Sequence, residues 1–210
     1  MNQAAADSLP ALLGEMRVIP VLTVSSVASG LAVCRALKAG GIRGVEITLR
    51  TPEALDVIKA VQDQVDDFIV GAGTVKTVND LRELQSLNIA FAVSPGLTRR
   101  LSDRAFELDI PLLPGVATAS EVLAGLEAGR TFFKLFPARA VGGLALLKSL
   151  AAPFAEVEFC PTGGIGPDDF RDYLALPNVV CVGGSWMVTS ELIGSENWGE
   201  VERLSRACFD

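Results

Sequence analysis

Short apolar runs rich in β-branched residues alternate with longer amphipathic stretches from one end of the chain to the other. The short runs predict strands at Arg17–Val24, Gly44–Leu49, Phe68–Ala72, Ala90–Val93, Pro111–Leu113, Phe132–Phe136, Val157–Cys160 and Val179–Val182. Between them, stretches such as SGLAVCRALKAGG, PEALDVIKAVQDQ and ASEVLAGLEAGR carry the helical period, and the first ends on Gly40-Gly41, which suits a helix C-cap. Several strands, VIPVL and VVCV among them, are apolar on both faces, as parallel strands covered on both sides are. Eight β-then-α units without a linker or a shift in composition predict an α/β fold, a closed (β/α)8 TIM barrel with short loops, as one domain over residues 1–210. An open doubly wound sheet is the competing architecture, because sequence carries no direct sign of closure. Two segments lie outside the repeat. AADSLPALLGE predicts an N-terminal helix, and ENWGEVERLSRACF puts Trp198, Val201, Leu204 and Cys208 on one face of a closing C-terminal helix.

The same alternation singles out chemistry inside two of the strands. In GVEITLRTP, Glu46 and Arg50 are four apart and could pair on a helix surface. Val45, Ile47 and Thr48 favour a strand instead, bounded by Gly40-Gly41 before it and by Thr51-Pro52 after it, which reads as an N-cap and first-turn proline. With a period of two, Glu46, Thr48 and Arg50 share one face and Val45, Ile47 and Leu49 the other. The apolar face must meet the helices, so the charged face points into the barrel.

TFFKLFPA has the same geometry. Phe132, Lys134 and Phe136 share a face, Phe133 and Leu135 share the other, and Pro137 stops the strand. Lys134 then enters the cavity that Glu46 and Arg50 face, near the strand end where barrels of this kind build active sites. Lys38, Lys59 and Lys148 lie in amphipathic helices and Lys76 in a polar setting, so Lys134 alone is embedded in apolar sequence. An amine stripped of water there favours its neutral form, the nucleophile toward carbonyl carbon. The bland alternative is a lysine that snorkels its head to the rim.

Two glycine pairs, in PTGGIGPDDF and VGGSWM, follow the seventh and eighth strands, where barrels bind phosphate through backbone N–H groups. Ser185 could add a hydroxyl, although Gly-Gly commonly marks a plain turn. VGAGTV delivers Thr74 and SPG delivers Pro95 to the same rim, with ordinary turn chemistry, or a helix cap for Thr74, as competitors.

Composition narrows the classes. Half the residues are apolar and a fifth charged, as in a folded globular chain, and a formal charge of −7 argues against nucleic acid and anionic membranes as partners. No segment has the length or hydrophobicity of a signal peptide or a membrane span, so a cytoplasmic protein is expected. Cys34, Cys160, Cys181 and Cys208 lack metal or disulfide spacing and read as buried thiols. Histidine is absent, which rules out Ser-His-Asp and Cys-His chemistry and histidine-ligated zinc. Catalysis must use lysine, carboxylates, hydroxyls or a borrowed cofactor.

GGIRGVEITLRTPEAL, VGAGTV, FAVSPGLT, LPGVATASE, FFKLFPA, FCPTGGI and VGGSWM, in this order over nearly the whole chain, resemble the 2-keto-3-deoxy-6-phosphogluconate (KDPG) aldolases, which often also act on 4-hydroxy-2-oxoglutarate. The resemblance implies a class I aldolase of the Entner-Doudoroff route, a homotrimer with no metal or other cofactor, acting on a small 2-keto acid phosphate. It puts the Schiff-base lysine at Lys134 and the general acid-base at Glu46. Arg50 and Thr74 match residues that hold the pyruvate carboxylate, and Pro95 and Phe136 the apolar wall around its methyl group. Thr162, Gly163, Gly164, Gly184 and Ser185 match the region that takes the hydroxyls and phosphate of the aldehyde half. Leu135, Ala119 and Gly166 depart from the family's common aromatic, proline and serine without removing any of these roles. The galacto epimer and the non-phosphorylated hydroxyoxoglutarate remain competing substrates, with Thr162 tilting toward the gluco compound, and a non-catalytic phosphosugar-binding barrel remains a competing class.

Overall fold

Alternation of apolar runs and amphipathic helices builds two all-parallel sheets in the computed structural model, which describes residues 3–210. The strands are β1 (Val18–Leu22), β2 (Gly44–Thr48), β3 (Ile69–Gly73), β4 (Phe91–Val93), β5 (Leu112–Leu113), β6 (Gly115–Val116), β7 (Phe132–Leu135), β8 (Glu158–Pro161) and β9 (Val182–Gly184). The helices are α1 (Gln3–Met16), α2 (Val27–Ala39), α3 (Ala54–Gln64), α4 (Val78–Gln85), α5 (Arg99–Glu107), α6 (Ala119–Glu127), α7 (Gly143–Ala151), α8 (Phe170–Leu174), α9 (Ser190–Gly194) and α10 (Trp198–Arg206). One sheet has the order β5-β4-β3-β2-β1-β9 and the other β6-β7-β8. Together they curl around a common interior. Among the described residues no helix is long and apolar enough to cross a membrane.

Two seams separate the sheets. At the first, the fifth strand, read from the sequence as Pro111–Leu113, continues past Pro114 as a second short strand, and Pro114 separates the two because a proline nitrogen has no hydrogen to donate to a ladder. β5 pairs with β4, β6 pairs with β7, and the Pro114 carbonyl accepts the Lys134 N–H at 2.9 Å. At the second, β8 meets the β9 segment only through the isolated bridges Phe159↔Val179 and Thr162↔Gly183. The last strand therefore lies further along the chain than the run Val179–Val182 suggests. Its ladder on β1 matches Val18 to Val182, Ile19 to Gly183 and Pro20 to Gly184. The second glycine pair is thus inside a strand and not after one. A Cβ on Gly183 would sit 2.4 Å from Thr162 Oγ1, and one on Gly184 would sit 1.9 Å from the Trp186 ring. Apolar runs do not register a strand position that packing reserves for glycine.

Burial follows the period of two. Val45, Ile47, Phe133 and Leu135 belong to the large cluster that joins the sheets to Val57, Ile58 and Val61 of α3 and to the other helices. A second cluster collects Ile19, Phe91, Val93, Leu113, Phe132, Cys160 and Cys181 on the opposite faces, closed by Leu9, Leu13 and Met16 of α1. The N-terminal helix thus plugs the interior. α10 packs on α2, where a Cβ on Gly40 would lie 2.4 Å from Ser205 Cβ, so Gly40 is the C-cap of α2 and also the point of closest approach. All four cysteines are free and buried, and burial pushes the Cys34 thiol up to about 12 and the Cys208 thiol up to about 11.

Candidate active site

Lys134 and Glu46 meet at the floor of a cavity. Both stand on strands as alternation demands, and at 5% and 3% exposure neither reaches water freely. Lys134 Nζ donates to Glu46 Oε1 at 3.3 Å and lies 5.3 Å from the centre of the Phe136 ring. A buried carboxylate and a buried amine are costly apart and tolerable together, so each supplies the other's partner. The Lys134 backbone is fixed on both sides, by Gly115 of β6 and by Cys160 of β8 in register.

Glu46 has room because Gly73 has no side chain. A Cβ there would lie 2.1 Å from Glu46 Oε1 and 2.6 Å from its Cγ. Gly73 is thus a site residue that the sequence pattern does not single out. The available signal is a glycine just past the run Phe68–Ala72, and a glycine within a strand, as Gly73 is in β3, marks close approach of a neighbour.

Arg50 shares the inward parity of Glu46 and Thr48 but lies beyond the end of β2, exposed at the rim. Its Nε donates to Thr74 Oγ1 at 3.0 Å, which leaves the two terminal nitrogens for a ligand. Thr74 has φ of 60°, a left-handed conformation that is a true outlier for a β-branched residue. Strain of this sort is held where the surroundings over-determine it, and such places concentrate at functional sites. Thr74 is not a helix cap, since Thr77 caps α4 in a capping box with Asp80. Thr51 does not cap α3 either. Glu53 occupies that position, and the Thr51 hydroxyl donates to Val24 O at 2.7 Å, tying the loop after β2 to the loop after β1. The hydroxyls of Thr23 and Thr48, 2.7 Å apart, make a second tie.

Lys134 and Phe136, Arg50, Thr162, Gly163, Gly164, Gly184 and Ser185 all line one cavity of about 130 Å³, to which Val21 and Ile165 contribute unforeseen walls. Glu46 and Thr74 join it through Lys134 and Arg50. Pro95 does not line the cavity and is exposed after β4. Gly163 and Gly164 have φ of 102° and 80°, so the chain bends sharply at the cavity wall, and successive backbone N–H groups in such a turn can make a nest for an anion. Among the described residues no carbonyl accepts from the N–H groups of Gly164 and Ile165, which remain available to an anion. A larger depression of about 620 Å³ opens at the far ends of β3 and β4, lined by Gln62, Asp66, Asp67 and Asn88, with none of these site residues. Among the described residues no group of three or more His, Cys, Asp or Glu is placed to hold a metal ion.

A buried amine beside a carboxylate, under a rim holding an arginine and an N–H nest, can form an imine with a carbonyl compound that carries a carboxylate and a second anion. Known proteins with this chain's likeness fit that chemistry. The family model for KDPG and KHG aldolase matches residues 9–204. A KHG/KDPG aldolase of Escherichia coli (strain K12) is 44% identical over 193 residues, covering 92% of this chain and 91% of that one. A 2-dehydro-3-deoxy-phosphogluconate aldolase of Pseudoalteromonas atlantica is 44% identical over 189 residues, covering 90% and 88%. Among solved structures, the KDPG aldolase of Legionella pneumophila, with pyruvate captured as a covalent carbinolamine, superposes with a TM-score of 0.91 at 42% identity over 94% of this chain and 96% of that one. The aldolase of Zymomonas mobilis ZM4 with 3-phosphoglycerate gives 0.90 at 41% identity over 95% and 94%. With a family model matched over most of its length and relatives this similar, the chain belongs to the KDPG and KHG aldolase family.

Proposed function

We propose that the chain is a Schiff-base lyase that cleaves 2-keto-3-deoxy-6-phosphogluconate to pyruvate and glyceraldehyde 3-phosphate, with 4-hydroxy-2-oxoglutarate as a second substrate. The observation that carries this reading is the Lys134 amine, buried 3.3 Å from Glu46 beneath a rim that holds Arg50. The Lys134 amine adds to the C2 carbonyl, and loss of water gives a protonated imine. That imine takes up the electron pair of the C3–C4 bond as the C4 hydroxyl loses its proton, and the aldehyde half leaves. Glu46 receives and returns the protons of dehydration and bond breaking and protonates C3 of the resulting enamine. Hydrolysis of the imine releases pyruvate and restores the amine.

Arg50, its Nε held by Thr74, presents its remaining fork to the substrate carboxylate and so sets C2 over Lys134. Phe136, a wall of the cavity, packs against the pyruvate methyl group, and Pro95 is added to that wall on the family resemblance alone. Thr162, Gly163, Gly164, Gly184 and Ser185 take the hydroxyls and phosphate, whose binding energy orients the reacting bond. The bridges at the β8 and β9 seam and the shared chain at Pro114 support one closed eight-stranded barrel as a single domain. The cytoplasmic homotrimer that the resemblance implies belongs to this reading, and light scattering on the purified protein would test its subunit count.

Borohydride decides the class. Reduction in the presence of pyruvate should fix a pyruvate-derived mass on Lys134, read by peptide mass spectrometry, and no adduct would leave a non-catalytic phosphosugar-binding barrel. Gly73→Ala should lower kcat about 10- to 100-fold, because the new methyl group displaces the Glu46 carboxylate from the amine. Steady-state kinetics beside a circular-dichroism melt would check it, and kcat within twofold of the parent would contradict the packing argument.

A further inference from the structure

The nest at Gly163-Gly164 is built against Arg139, a residue with no role so far. Its backbone N–H donates to Gly163 O at 3.0 Å, and its side chain lies across Gly164. A Cβ on Gly164 would meet Arg139 Cβ at 2.8 Å and Cδ at 3.2 Å, so the arginine stem fills the space that the glycine leaves. The side chain is 62% exposed, and its guanidinium donates through Nη2 to Asp169 Oδ2. Asp169 in turn accepts the Gly166 N–H through Oδ1 at 2.8 Å, which fixes the far side of the same loop.

That arrangement carries an electrostatic problem. The loop that offers N–H groups to an anion is held in shape by a carboxylate, and the next residue back in the sequence, the exposed Asp168, is acidic as well. A carboxylate near a phosphate dianion repels it unless a cation intervenes. Arg139 is that cation, placed between Asp169 and Gly164 and therefore at the edge of the nest. Arg139 is not itself a wall of the cavity, but its planar fork has five donors, of which the contact with Asp169 uses one, and the others are left on an exposed side chain packed against Gly164, which is a wall.

We propose that Arg139 is a specificity-determining residue that makes the site prefer phosphorylated over non-phosphorylated keto acids, by neutralising Asp169 and adding a charged donor to the phosphate. The proposal rests on the aldolase reading for its substrates, but the anion site can be tested without turnover.

Two measurements on the full-length protein decide it. Calorimetric titration with glycerol 3-phosphate should show binding about tenfold weaker in Arg139→Ala than in the parent, weaker again in Arg139→Glu, and largely recovered in Arg139→Lys. In kinetics, the ratio of kcat/KM for 2-keto-3-deoxy-6-phosphogluconate to that for 4-hydroxy-2-oxoglutarate should fall about tenfold in Arg139→Ala, with the change in KM and not in kcat. Unchanged phosphomonoester affinity, or an equal loss on both substrates, overturns the proposal and leaves Arg139 a strap that only shapes the loop. Weakened phosphomonoester binding in a protein that forms no pyruvate adduct would uphold the anion site while ending the aldolase reading.

Discussion

Lys134→Met is expected to lower turnover of 2-keto-3-deoxy-6-phosphogluconate by at least about four orders of magnitude, a loss of about 5.5 kcal/mol in transition-state stabilisation. Methionine has nearly the length and flexibility of the lysine stem but no amine, so no imine can form and the C3–C4 electrons have no sink. Stability has to be separated from chemistry. The variant leaves the Glu46 carboxylate buried without its partner, which costs about 3–5 kcal/mol and could unfold a marginal protein. Lys134→Met with Glu46→Gln removes both charges and should regain most of the lost melting temperature while remaining inactive. A folded double variant with activity above about one-thousandth of the parent would contradict the assignment of Lys134 as nucleophile.

How Lys134 and Glu46 come together was legible in the sequence because a single rule governs both. Alternation within a strand puts every second side chain on one face, and the apolar residues between them dictate which face meets the helices. Val45 and Ile47 therefore sort into the helix-facing cluster, as Phe133 and Leu135 do, while Glu46 and Lys134 between them turn to each other. Where an outcome depends on contacts between distant segments, the pattern is silent. Pro114 divides a strand whose apolar run gave no hint of continuing to Val116. The last strand takes glycines because Thr162 and Trp186 occupy the space above them. Gly73 is silent in the pattern for the same reason, since its importance lies in a neighbour's carboxylate. Arg139 lay just past the strand end, and only the fold brings it against Gly164. Thr51 looked like a cap because threonine before proline commonly is one, yet its hydroxyl serves a longer-range tie to Val24. Pro95, by contrast, rests its role on the family alone, for its exposed position stands apart from the cavity.

Glu46→Gln should reduce kcat by about 10²- to 10⁴-fold while KM changes only a few-fold. Glutamine keeps the shape and an acceptor for the Lys134 amine at 3.3 Å, so the packing around Gly73 and the position of the amine are preserved. What it cannot do is receive a proton from the C4 hydroxyl or deliver one to the enamine carbon. Arg50 with Thr74 and the nest at Gly163-Gly164 are untouched, which is why binding should hold. Exchange of pyruvate methyl hydrogens in heavy water isolates the step, because it requires the imine and the base but no aldehyde and no carbon–carbon cleavage. Exchange, followed by proton NMR, should slow in parallel with turnover. If exchange stays at the parent rate while cleavage falls, Glu46 serves only the C4 hydroxyl and another group protonates the enamine. If kcat stays within tenfold of the parent, the proton carrier is not Glu46, and the 3.3 Å contact is only an ion pair that makes a buried lysine tolerable.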